Sequence, residues 1–184
     1  LTDLTTLAAR LPVAHADYDQ LTVARLSGRH TQALAEACVF AASHVKPWLG
    51  TALCPVTPAA VRKFIDDAEH KKDAGYGITY LMMDGQRCLG MGFINYIHPV
   101  HYTANLGFWI RPDACGKGLA VALCKSLTKL AFSQMQLHRL ELFIEPANKA
   151  SMKVAQKLGA QPEGLCRKRI FGRDAYLYAL LAED

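Results

Sequence analysis

RPDACGKGLAVAL, residues 111–123, follows an apolar run, NLGFWI (residues 105–110), and leads into a segment with helical periodicity. Two glycines, Gly116 and Gly118, stand where that helix should begin. Each weakens a helix by roughly 1 kcal/mol relative to alanine. A strand that feeds a helix through a glycine-rich turn is a ready anion site. The first helical N–H groups have no partner inside the helix, and the helix dipole favours negative charge there. Glycine lets a phosphate approach the backbone, so ligand binding can offset the lost propensity. The spacing lacks the G-x-x-x-x-G-K-[ST] of a P-loop. It also lacks the third glycine of G-x-G-x-x-G, where Val121 stands.

The flanking sequence supplies the elements around this turn. QLTVARL (residues 20–26) reads as a strand, and Ser27 is placed to cap a helix over residues 28–43, which VKPWLG (residues 45–50) then breaks. Thr57-Pro58 starts a second helix, with Val61, Phe64, Ile65 and Ala68 on one face and a stop near Gly75. Residues 77–97 form a hairpin turning at Asp84-Gly85, and residues 103–110 another strand. A helix over residues 116–135 buries Ala120, Leu123, Leu127, Leu130 and Ala131. RLELFIE (residues 139–145) alternates cleanly, residues 148–158 form a short helix stopped by Gly159, and strands follow over 161–171 and 175–181. Residues 1–19 have little periodicity and read as a loose arm. The order predicts a single α/β (α+β) domain over residues 1–184. Its sheet is mostly antiparallel, with one parallel pair across the helix after residue 110.

Composition narrows the function classes. Of 184 residues, 51% are hydrophobic and 20% charged, and a formal net charge of +5 suits an acidic small molecule or acidic partner surface. No aromatic-and-basic stripe points to nucleic acid. The six cysteines form no C-x-x-C pair and have no accompanying zinc-spaced histidines, so neither a disulfide framework nor a metal is expected. The opening LTDLTTLAARLPVAHADYDQ carries acidic residues and no sustained apolar core, and no run reaches membrane-spanning length. These features predict a cytoplasmic protein without a leader; a monomer or homodimer is expected, with no residue arguing for one over the other.

At this point the residues resemble a family. PDACGKGLAV resembles the acetyl-CoA pyrophosphate loop of the GNAT N-acetyltransferases, whose pattern is Gln/Arg-x-x-Gly-x-Gly/Ala. Cys115 takes the Gln/Arg place, Gly118 the glycine and Ala120 the small residue. EPANKASMKVAQKLGAQPEG (residues 145–164) is similar to the P-x-N-x-x-S…KLGF…EG segment of the RimJ/RimL-type ribosomal-protein serine and alanine acetyltransferases. VKPWLG resembles that branch's R-P-W-L element, and DAYLYALLAED (residues 174–184) its D-x-x-x-Y-A-L-L tail. The resemblance covers residues 20–184 in one order.

The resemblance implies a GNAT fold of about seven strands and about four helices, with acetyl-CoA as co-substrate and no metal. The cofactor would enter where residues 103–110 and 139–145 splay apart. Its pantetheine would bond the backbone of Phe108, Trp109 and Ile110. Its pyrophosphate would rest on Cys115, Gly116, Lys117, Gly118, Leu119, Ala120 and Val121. An amine would attack the thioester directly. Asn148 would cap its helix and touch the cofactor, and Ser151 would give a proton to the departing thiolate, since the family's tyrosine seven residues after the asparagine is Ala155 here. The branch's basic glutamate falls at Ile170, and the acid before G-[FY]-W at Asn105. Glu141, His98, His101 or a water chain remain as candidate bases. The expected acceptor is the N-terminal α-amine of a ribosomal protein. The alternatives are a polyamine, amino acid or aminoglycoside, or a CoA-binding module without catalysis. Cys115 beside a helix N-terminus also invites a nucleophile reading, for which no Cys-His arrangement can be traced.

Overall fold

Strands that alternate apolar and polar residues must bury one or both faces, and this chain covers its sheet with helices on both sides. The computed structural model describes residues 2–13 and 15–183. The strands are β1 (Arg10–Leu11), β2 (Leu21–Arg25), β3 (Gly77–Asp84), β4 (Arg87–His98), β5 (Thr103–Ile110), β6 (Arg139–Ile144), β7 (Gln161–Ile170) and β8 (Arg173–Leu181). The helices are α1 (Thr31–Leu49), α2 (Pro58–Asp73), α3 (Leu119–Ser133) and α4 (Lys149–Leu158). All eight strands lie in one sheet, in the order β1-β2-β3-β4-β5-β6-β8-β7. Neighbours are antiparallel except β5 and β6, which run parallel with α3 between them in sequence. This is the mixed α/β architecture expected, with β1 added at the edge of β2.

The two faces hold separate cores. On one, Leu123, Leu127 and Leu130 of α3 and Ala155 of α4 meet Tyr80, Leu106, Leu140 and Leu142. On the other, Leu34, Ala37, Cys38 and Ala41 of α1 and Val61 and Ile65 of α2 meet Leu81, Met91, Phe93 and Trp109. The thiols of Cys38, Cys54, Cys88 and Cys124 are free and buried within these cores, where the thiol behaves as a small hydrophobe.

Three expectations need correction. The loose arm is packed: Leu4, Leu7 and Leu11 are buried in the α3-side core, and Asp3 caps a 3-10 turn over Leu4–Thr6. Leu1, Ala14 and Asp184 lie outside the described residues. The first helix does not end at residue 43 but runs through Pro47 to Leu49, stopping at Gly50 with φ 73°. Proline removes one intrahelical bond, and within the last turn that loss is small against the packing of Val45 in the core. The third helix begins at Leu119, not at Gly116, because Gly118 adopts φ 79° and cannot be helical.

Helix α3 approaches β4 closely at Gly92. A Cβ there would lie 2.6 Å from Leu127 Cδ1 and 3.1 Å from Leu123 Cγ. Gly92→Ala should therefore destabilise the protein by about 1–3 kcal/mol, read as a lower urea midpoint with unchanged slope. An unchanged midpoint would show that α3 is free to shift on the sheet.

Candidate active site

Parallel pairing between β5 and β6 covers only Thr103–Asn105 against Arg139–Glu141. Beyond it the strands diverge, and the β6-facing edge of β5 has no strand partner. A cavity of about 640 Å³ opens there, bounded by both strands, the N-termini of α3 and α4, and the end of α1. An open strand edge presents N–H and C=O groups to an extended ligand, as in strand addition. Phe108, Trp109 and Ile110 line this edge. The Trp109 indole is buried on the far face and donates to the Leu53 carbonyl at 3.1 Å, so Trp109 offers the cavity main chain only.

The glycine turn forms one end of the cavity. Gly116 and Gly118 have φ of 80° and 79°, a left-handed region that favours glycine. With glycine as N-cap, no side chain satisfies the helix start, and the first helical bond runs from Ala122 N to Gly118 O. The N–H groups of Leu119, Ala120 and Val121 are left for a ligand. Cys115, Gly116, Gly118, Leu119, Ala120 and Val121 all line the cavity. Lys117 does not. Its ammonium lies 5.8 Å from the Tyr18 ring centre, and its carbonyl accepts from His15 Nε2.

Arg111 anchors the turn from beneath. Its side chain is 2% exposed, donates from Nε to Asp113 Oδ1 at 3.1 Å, faces Glu36 at 3.5 Å, and stacks under the exposed Phe40 ring at 4.5 Å. The guanidinium holds the Asp113 carboxyl below its ordinary value, with Arg87 adding to the effect. Cys115 Sγ lies 4.0 Å from His44 Nε2 and donates to the Arg111 carbonyl at 3.2 Å. Burial, with the Asp113 charge, pushes its thiol up, away from the thiolate a nucleophile needs.

Helix α4 supplies the third wall. Asn148 caps it, its Oδ1 accepting from Ser151 N at 3.1 Å. Both residues line the cavity, and the Ser151 hydroxyl makes no protein hydrogen bond among the described residues. Lys149, Lys153 and Lys157 line it at four-residue spacing, one helix face. No ion pair engages them among the described residues, so this wall is electropositive.

The candidate bases lie elsewhere. Glu141 is not among the residues that line the cavity and accepts from Arg139 Nε at 2.9 Å, while Arg139 also binds Glu163 at 2.8 Å. His98 and His101 stack at 4.2 Å in the β4–β5 turn, beside the end where β5 and β6 still pair. The structure brings neither histidine into the cavity.

A carboxylate that the sequence reading passed over does line it. Glu145, just past β6, is 9% exposed and accepts from Arg173 Nη2 at 2.7 Å. The same nitrogen donates to the Pro47 carbonyl at 2.9 Å. The available signal was position: an acid at the carboxyl end of a parallel strand lies where ligands bind in α/β sheets.

By sequence, the family described as "Acetyltransferase (GNAT) domain" matches residues 20–161. The chain is 26% identical over 172 residues to YdaF of Bacillus subtilis (strain 168), provisionally named a ribosomal N-acetyltransferase, covering 90% of this chain and 93% of that one. It is 29% identical over 97 residues to the spermidine N(1)-acetyltransferase of Escherichia coli (strain K12), covering 53% of this chain and 52% of that one. Among solved structures it resembles RimL, a ribosomal L7/L12 alpha-N-protein acetyltransferase in complex with coenzyme A. The TM-score is 0.85 at 19% identity, over 94% of this chain and 97% of that one. No helix among the described residues is long and apolar enough to cross a membrane.

The lowered Asp113 pKa fixes the sign of a pH effect. A depressed carboxyl contributes stability above its unfolded value, 3.8, and loses it as pH falls through the folded one. The stability gap between wild type and Asp113→Asn should be full at pH 7 and close in strong acid. Chemical denaturation at several pH values measures it, and a gap independent of pH would separate Asp113 from the Arg111 anchor.

Proposed function

The chain belongs to the acetyltransferase (GNAT) domain family, and from that premise we propose that it transfers the acetyl group of acetyl-CoA to the N-terminal α-amine of a ribosomal protein. The observation that carries this reading is a juxtaposition: an unpaired strand edge and an unsatisfied helix N-terminus open into one cavity. A ligand with an extended amide arm and a pyrophosphate meets both. The main-chain groups of Phe108, Trp109 and Ile110 would hold the arm, and the amides of Leu119, Ala120 and Val121 the pyrophosphate. Lys149, Lys153 and Lys157 add positive charge along the same wall. Because the cradle is main chain, cysteine at position 115 leaves it intact.

Bound there, acetyl-CoA supplies an activated acyl thioester. Asn148 orders the start of α4, and Ser151, one turn in, presents a free hydroxyl to the cavity. That hydroxyl is the proton donor for the departing sulfur.

The charge of the cavity favours an α-amine over a polyamine. Glu145 is the one carboxylate among its described lining residues, and Arg173 already pairs with it. A polycation would find too little negative charge beside three lysines. An α-amine, with a pKa of about 7.7–8.0, also offers a larger neutral fraction at pH 7 than an amine near 10. The spermidine-acetylating relative keeps the small-amine reading as the rival.

Calorimetry should show acetyl-CoA binding, with NADH and ATP silent. Acetyl transfer, followed by thiol release and peptide mass, should favour peptides beginning with serine or alanine over spermidine. Turnover of spermidine alone would replace the ribosomal reading with the polyamine one. Ser151→Ala should lower kcat by about 10²-fold or more with CoA affinity nearly unchanged. Full activity in that variant would remove Ser151 from the proton path.

A further inference from the structure

We propose that Glu145 receives the acceptor amine and takes its proton, and that Arg173 is the positioning residue that aims it. This rests on the acetyltransferase reading above. A carboxylate is costly to bury unless it is paired. Glu145 is nine-tenths buried at the end of β6, yet it opens on the cavity. Its Oε1 is taken by Arg173, which leaves Oε2 without a partner among the described residues.

The strand alternation places it on the acceptor side. Leu142 and Ile144 point into the α3-side core. Phe143 and Glu145 therefore face the α1 side, where Arg173 ties Glu145 to the Pro47 carbonyl. Helix α3, which begins at the glycine turn, packs on the opposite face. Cofactor and acceptor thus approach from opposite sides of the sheet and meet at the gap between β5 and β6. Trp48 and Ile170 give the acceptor side apolar walls around the carboxylate. Ile170 stands where the resemblance would put a basic glutamate, so Glu145 is the carboxylate left to serve that space.

The acceptor ammonium gives one proton to Glu145, which passes it to solvent. The neutral nitrogen forms a bond to the acetyl carbon, and the carbon–sulfur bond breaks. The second nitrogen proton reaches the departing sulfur through the Ser151 hydroxyl, yielding the amide and free CoA thiol.

The test is Glu145→Gln, whose amide oxygen still accepts from Arg173. With a serine-initiated peptide, kcat/KM should fall by about 10²-fold or more, while calorimetric CoA affinity stays within about threefold. Other titratable groups line the cavity, namely His44 on α1, Cys115 in the turn and the α4 lysines, and two fixed charges lie beside its lining, Arg169 over the Phe143 ring and Arg173 on Glu145. The pH profile separates Glu145 from them, because only its removal should abolish the acid limb assigned to the carboxylate. Glu145→Asp should restore part of the rate with the wild-type profile, and Arg173→Lys should lower kcat more than it raises KM. Wild-type kcat/KM in Glu145→Gln overturns the assignment. So does equal loss in the glutamine and aspartate variants accompanied by weakened CoA binding, which would mark a structural pair. Absence of wild-type turnover with both peptide and spermidine overturns the parent reading, and this one with it.

Discussion

The parting of β5 and β6 after Asn105 is the constraint on which the rest of the molecule depends. Two adjacent parallel strands gain hydrogen bonds by staying paired, so a gap between them must be held open. Each strand is secured on its outer side. β4 pairs with β5 from Asn95 to Gly90 and follows it to Ile110, and β8 pairs with β6 along its whole length. The Trp109 indole pins the far end of β5 to Leu53 on the α1 side. Arg173 pins the end of β6 to the last turn of α1. The open edge persists because both strands are tethered to different neighbours.

Electrostatics in the cavity follows from the same geometry. Two helix N-termini converge on the gap: the start of α3 is uncapped and its amides are unsatisfied, the start of α4 is capped by Asn148, and both dipoles favour anions. The α4 lysines extend that bias. Against it stands one buried carboxylate, fixed by an arginine that also satisfies an orphan carbonyl at the end of α1. The cavity is thus positive where phosphates would lie and locally compensated where an amine would arrive.

What was legible in the sequence was whatever repeats at short range. The alternation of Leu140, Leu142 and Ile144, the Thr57-Pro58 start and the glycine turn each carry a local physical signature; the strand and the second helix formed where they were read, while the helix after the turn starts at Leu119 rather than Gly116. The family pattern also located the loop and the Asn148–Ser151 pair, which do line one cavity. What was missed depends on distant partners. Leu4, Leu7 and Leu11 have no strong period, and only the α3-side core shows why they are buried. His15 meets Lys117 across the chain. Glu141 and Glu145 share one face of β6 and look equivalent in RLELFIE. Arg139 claims the first at the paired end of the strands, and divergence exposes the second to the cavity.

The Arg173 contact also bears on chimeras with other members of the family. The β7–β8 hairpin looks like a separable module at the sheet edge, joined to the body by β8. Yet Arg173 on that hairpin binds Glu145 and the Pro47 carbonyl, and Phe171 at its tip lies against Gly50. A grafted hairpin without the arginine would leave a buried anion and a helix-end carbonyl unsatisfied at once. The hairpin, the end of α1 and the residue after β6 are therefore one unit of exchange, although they are scattered along the chain.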